Sequence, residues 1–181
     1  MLFQIHITLT DEDNFAFNKF YSFETPYGKK MMKKSRLSFI VFGAILVAFV
    51  YFRLGFTAYS VLYAVISGSL TLLYMLLYKK VCIQRIKRQL KRLKKMEKMP
   101  FDPMSTLEFY QDKIVEFTES RRIEQDYNVI ERVCIVKDRY IYLCDNNFGT
   151  HILPIPQIKT QVNLDDLITF LSQKCDIVEY Y

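Results

Sequence analysis

The sequence predicts a membrane α+β protein: a two-helix transmembrane hairpin joined to a small antiparallel β barrel or sandwich that a C-terminal helix caps. Three observations predict it. Leu37–Phe52 and Phe56–Tyr78 are apolar runs free of Asp, Glu, Lys, Arg, His and Pro, parted only by Arg53, Leu54 and Gly55. Basic residues crowd both flanks of that pair. Short β-patterned segments then follow one another from residue 105 to 154. A bilayer span takes about 20 apolar residues, because a helix rises about 1.5 Å per residue through roughly 30 Å of hydrocarbon. The second run meets that length. The first reaches it with Met31 and Met32, while Lys33, Lys34 and Arg36 snorkel toward headgroups. A buried hairpin of a soluble protein is the competing reading.

Fifteen of the 25 Lys and Arg flank the hairpin, from Lys29 to Arg36 and from Lys79 to Lys98. Among residues 29–98 only Glu97 opposes them, and the loop between the runs offers Arg53 alone. The positive-inside rule then places the protein in the cell membrane, multi-pass, with both termini cytoplasmic. Tyr51 and Tyr59 mark the outer interface, Tyr74 and Tyr78 the inner one. No leader is expected, since the first apolar run follows an acidic segment, Asp11–Asp13. The predicted organisation is residues 1–28, joining the cytoplasmic domain; 29–99, hairpin and basic juxtamembrane helix; and 100–181, the β domain.

Leu2–Thr10 alternates, with Phe3, Ile5, Ile7 and Leu9 on one face, as a half-buried strand does. A lone strand needs partners, and the only sheet lies beyond residue 100, so both chain ends build one domain. Thr10 and Asp13 have capping-box spacing, with Asp for Glu, opening a short helix to about Tyr21. Its aromatics, Phe17, Phe20 and Tyr21, pack on the sheet in the favoured reading and lie on the membrane in the other. Thr25-Pro26-Tyr27-Gly28 reads as a turn. Small residues recur at four-residue spacing, Ala44 and Ala48 in one run, Ser60, Ala64 and Gly68 in the other. Such strips let helices approach closely, within the chain or against a second copy. Hydroxyls within the runs can bond a carbonyl one turn back, so they need not mark a pathway.

Lys79–Lys98 continues the second helix, with Ile83, Ile86, Leu90 and Leu93 as a narrow stripe. Its charges bind lipid headgroups, only set topology, or bind nucleic acid, the last being disfavoured. Leu107–Tyr110 and Ile114–Thr118 read as a hairpin, with Arg121–Gln125 as an edge strand. Tyr127–Glu131 leads into Val133–Val136, followed by Tyr140–Cys144, a turn at Asp145–Gly149, and Thr150–Leu153. Pro154 and Pro156 end the sheet. Asn163 caps a final helix to Lys174, where Asp165 and Asp166 suit the N-terminal dipole and Leu164, Leu167, Ile168 and Leu171 form the stripe.

Ser22–Lys30 (SFETPYGKK), the double run, Tyr127–Val136 and His151-Ile152-Leu153-Pro154 together resemble the YcxB-like family of small bacterial membrane proteins. The resemblance implies a membrane-anchored domain related to bacterial pleckstrin-homology-like (PH-like) folds. It implies no catalytic site.

No phosphate loop, nucleophile elbow or zinc spacing is present in the sequence. Four scattered cysteines, Cys82, Cys134, Cys144 and Cys175, suit reduced thiols. Cys134 and Cys144 fall where strands can be neighbours, and His6 and His151 would meet if their strands paired. The expectation is therefore no catalytic residue, metal or cofactor. The residues placed at lipid headgroups are Lys29, Lys30, Lys33, Lys34, Arg36, Lys79, Lys80, Arg85, Lys87 and Arg88. Two functions follow. One is a binding or adaptor module at the inner leaflet, recognising anionic lipid or a protein partner. The other is an accessory subunit whose hairpin packs into a larger membrane or transport assembly, with a homo-oligomer as one form.

Overall fold

The computed structural model describes residues 1–96, 101–145 and 149–181. Lys98, Pro100 and the turn residues Asn146, Asn147 and Phe148 lie outside them. The chain is α+β, with two long apolar helices and two four-stranded sheets. It divides into two compact units: Met1–Phe17 with Leu93–Tyr181, and Asn18–Arg92.

In the first unit, β1 (Phe3–Thr8) pairs antiparallel with β2 (Met104–Phe109), Ile5 opposite Leu107. β3 (Lys113–Phe117) and β4 (Arg122–Asp126) complete a sheet in the order β1-β2-β3-β4. A 3-10 turn at Tyr127–Val129 leads into the second sheet. There β5 (Ile130–Val136), β6 (Tyr140–Asp145) and β7 (Thr150–Pro154) form an antiparallel meander. A short helix, α4 (Ile155–Ile158), and then α5 (Leu164–Lys174) follow. Asn163 caps α5 by accepting from the Asp165 N–H at 3.0 Å. Ile5, Leu107, Phe109, Val133, Ile141, Leu143 and Leu153 share one core with Leu167 and Leu171 of α5. Burial of this size is the main term that offsets chain entropy.

Four details add to or refine the sequence reading. A last strand, β8 (Val178–Tyr180), pairs parallel with β5, so the second sheet is mixed. Three residues after a helix carry no readable period. β1 and β7 lie in different sheets, so His6 and His151 do not meet. Pro154 ends β7 and Pro156 sits in the first turn of a helix, where proline's fixed φ and missing N–H are tolerated. Cys134 faces Tyr142 and Cys144 faces Arg132, which makes the two thiols diagonal neighbours rather than a direct pair. All four cysteines are free thiols.

The exposed edge of β1 is clasped by two glutamines. Gln161 accepts from the His6 N–H at 2.7 Å and donates to the His6 carbonyl at 2.8 Å. Gln157 treats Thr8 the same way, at 2.9 and 2.8 Å. Four residues apart in the chain, they reach alternate residues of the strand. Each carboxamide imitates a neighbouring strand, which blocks edge pairing with another chain. At the start of α1 (Asp11–Phe23), Asp13 accepts from the Thr10 N–H at 2.8 Å and Thr10 Oγ1 accepts from the Asp13 N–H at 3.3 Å. Asp13 also accepts from the Tyr140 hydroxyl at 2.7 Å, tying this cap to β6. Burial and that carboxylate push the Tyr140 phenol up to about 12.

In the second unit, α2 (Pro26–Leu54) and α3 (Ala58–Lys95) form a helical hairpin. At about 1.5 Å per residue both exceed a bilayer's hydrocarbon thickness. The segment Thr25–Gly28 is not a free turn. It opens α2: Thr25 is the N-cap, accepting from the Gly28 N–H at 3.0 Å, with Pro26 in the first turn. Thr25 also donates to the Tyr21 carbonyl at 2.6 Å. Arg53 and Leu54 stay helical, and Gly55 turns the chain at φ 62°.

Candidate functional site: a basic collar and a polar cleft

The collar belongs to the helical unit. Residues 18–92 hold fourteen Lys and Arg and a single acid, Glu24. Lys29, Lys30, Lys33 and Lys34 of α2 and Lys79, Lys80, Arg85, Lys87 and Arg88 of α3 are exposed, while Arg36 is half-buried. The structure brings these two groups to one end of the hairpin. There the Arg36 guanidinium lies 5.3 Å from the Tyr78 ring centre, and Lys79 Nζ lies 5.5 Å from that of Phe23. At the far end Arg53 stands alone, over Phe49.

The small residues are arranged differently from a pair of facing strips. Ala44, Ala48 and Gly68 are exposed, and a Cβ on Gly68 would meet nothing within 4 Å. Ala64 is half-buried. Ser60 is buried, and its hydroxyl serves the start of α3: it accepts from the Thr57 N–H at 3.0 Å and donates to the Thr57 carbonyl at 2.8 Å. The seam between α2 and α3 runs instead through Phe39, stacked on Tyr74 at 3.9 Å, and through Gly43, which faces Thr71. Thr71 donates back to the Ser67 carbonyl at 2.8 Å, as an intrahelical hydroxyl does.

The cleft belongs to the β unit. It measures about 760 Å³ and is lined from both sheets. Inside, His151 of β7 is flanked by Glu116 of β3 and Gln125 of β4. Its Nδ1 lies 3.5 Å from a Glu116 oxygen, and its Nε2 lies 2.9 Å from Gln125 Oε1. An amide oxygen only accepts, so His151 donates from Nε2 and turns Nδ1 toward the carboxylate. Gln125 in turn donates to Asp145 at 3.3 Å. The His151 and Glu116 side chains are 13% and 18% exposed. Burial holds the imidazole pKa below its ordinary value, against the opposing pull of Glu116 and Asp145, with Arg121 reinforcing burial. At the rim, Arg121 pairs with Asp102 at 3.3 Å and Lys113 with Glu124 at 2.6 Å.

His151 was visible in the sequence only as a strand histidine. Glu116, Gln125 and Asp145 carried no signal, because they come from separate strands of two sheets and only the topology gathers them. His6 is elsewhere, exposed and bonded to Thr106 at 2.9 Å. Among the described residues, no three His, Cys, Asp or Glu side chains gather as metal ligands would. Compared with protein-family models, curated proteins and solved structures, the chain matches none.

Proposed function

We propose that this protein is a membrane-anchored binding module. In this reading α2 and α3 cross the bilayer as a hairpin, both chain ends are cytoplasmic, and the collar engages anionic headgroups at the inner leaflet. One observation carries it: the hairpin is apolar outside and basic at a single end. The most apolar 18-residue stretch of α2 buries 0% of its residues within the chain, and that of α3 buries 6%. A core helix of a soluble protein hides such a stretch. Each basic residue near an anionic surface adds about 1 kcal/mol of attraction.

The β unit is the recognition part of the module, for a headgroup or a protein partner, and the reading assigns it binding rather than catalysis. The reading takes the β unit, with its four antiparallel strands, three-stranded meander and closing helix, as the PH-like domain that the YcxB-like resemblance implies. A second reading, an accessory subunit within a larger membrane assembly or a homo-oligomer, is favoured by the open face at Ala44, Ala48 and Gly68.

Purification from native membranes in mild detergent tests the proposal. The chain is expected to stay with membranes through an alkaline wash and to carry lipid richer in anionic species than the bulk. Replacing Lys29, Lys30, Lys33 and Lys34 by Gln lowers that enrichment. Recovery in the aqueous fraction without detergent contradicts the anchor.

A further inference from the structure

Within the helical unit, a groove of about 370 Å³ opens beside the collar, between the α1–α2 corner and α3. We infer that it seats one anionic phospholipid molecule, with an acyl chain along the groove and the phosphate on Arg85. The inference rests on the membrane reading above and deepens it from a diffuse electrostatic contact to a built site.

The lining divides by chemistry. Phe23, Met31, Met32 and Ile86 supply apolar walls, and Arg85 is the one charged residue among the lining. Methionine is unbranched and polarizable, so two of them adapt to an irregular chain such as an acyl tail. The hydroxyl of Tyr78, a lining residue, gives the groove a polar element. Arg36 stacks on the same tyrosine, and its buried Nε has no hydrogen-bond partner among the described residues. Charge selects the occupant's sign, since Glu24 is the unit's single acid against fourteen bases. Depth fits as well. Arg85 lies seven residues beyond Tyr78, about 10 Å along the helix, within side-chain reach of the headgroup layer. Arg85 is exposed and gains a charge-assisted partner only from an anionic occupant.

The test uses the full chain in mild detergent, with native mass spectrometry of retained lipid. Phosphatidylglycerol and phosphatidylcholine of identical acyl chains are offered in turn. Wild type is expected to hold one phosphatidylglycerol per chain and to release phosphatidylcholine. Arg85→Gln removes a charge-assisted contact and weakens retention by about tenfold or more. Met31→Trp fills the groove and displaces the lipid while leaving every charge in place. Lys19→Gln, an exposed residue of the same unit outside both the groove and the residues placed at headgroups, changes retention little. Equal retention of both lipids overturns the inference, as does phosphatidylglycerol held undiminished by Met31→Trp. Equal losses in Lys19→Gln and Arg85→Gln also overturn it, while leaving a collective attraction by the unit's basic charge intact. Absence of any anionic preference in wild type removes the collar reading itself.

Discussion

Leu143 and Leu72 show how differently the two units use one residue. Leu143, in β6, is 1% exposed and sits among Val133, Ile141 and Leu153 in a closed core. Leu72, in α3, is 61% exposed, and the apolar residues around it are exposed too. The β unit keeps its apolar side chains from water by folding around them. The helical unit does not, which suits the apolar surrounding proposed for it. Its charges gather at the basic end, with Arg53 alone at the other, while Ser60 serves a helix start and Thr71 bonds back to a backbone carbonyl.

The sharpest way to break this contrast is to truncate both leucines. Leu143→Ala leaves a cavity and costs the β unit about 2–5 kcal/mol. Leu72→Ala leaves thermal melting of the β unit unchanged, because no core loses a contact. Equal effects on melting of the full chain in detergent would erase the distinction. The same helix answers to charge instead: Ile66→Lys costs insertion about 2.5–3.5 kcal/mol and depletes the membrane fraction.

Next in size is the corner where α1 meets α2. A Cβ on Gly28 would collide with the backbone carbonyls of Tyr21 and Ser22. Gly28→Ala is expected to cost about 1–3 kcal/mol, as overpacking does. It also reshapes the groove, so phosphatidylglycerol retention falls with it. Retention unchanged in a correctly folded Gly28→Ala chain would separate the corner from the groove.

A smaller effect belongs to the clasped edge. Gln161→Glu cannot donate to the His6 carbonyl, and loses about 1 kcal/mol. The freed edge also promotes association between chains, read as concentration-dependent light scattering. The smallest expected effect is on pH. His151 is held below its ordinary pKa by burial, facing Glu116, Gln125 and Asp145 with Arg121 nearby. The unfolded chain therefore takes up the proton first as pH falls. Stability from this group is full above about pH 6.5 and is lost as pH drops through that value toward the folded one. His151→Gln flattens that slope. A wild-type melting temperature independent of pH between 7 and about 5 speaks against the buried imidazole.

The two units were also unequally legible. The helical runs could be read residue by residue, since length, missing charge and flanking lysines each act locally. Phe3–Thr8 was equally plain, because period two needs no partner to be seen. Thr25-Pro26 misled: the pair signals both a turn and a helix start, and the cap geometry decides for the start. β8 was hidden because a three-residue parallel strand has neither period nor turn. The small-residue spacing left the facing partner open, the same chain or a second copy, and gave no sign of Phe39 stacked on Tyr74. The cleft around His151 was hidden most completely, for Glu116 and His151 are 35 positions apart in the chain and meet only after both sheets form.

One labelling experiment reaches the centre of this account. Phe56, 87% exposed at the tip of the hairpin, and Tyr180, 70% exposed near the chain's end, are each replaced by Cys. Intact cells are then treated with a membrane-impermeant maleimide, with wild type as the background. The account predicts that Phe56→Cys is labelled from outside and Tyr180→Cys only after permeabilisation. Labelling of Tyr180→Cys in intact cells, with Phe56→Cys protected, would contradict it.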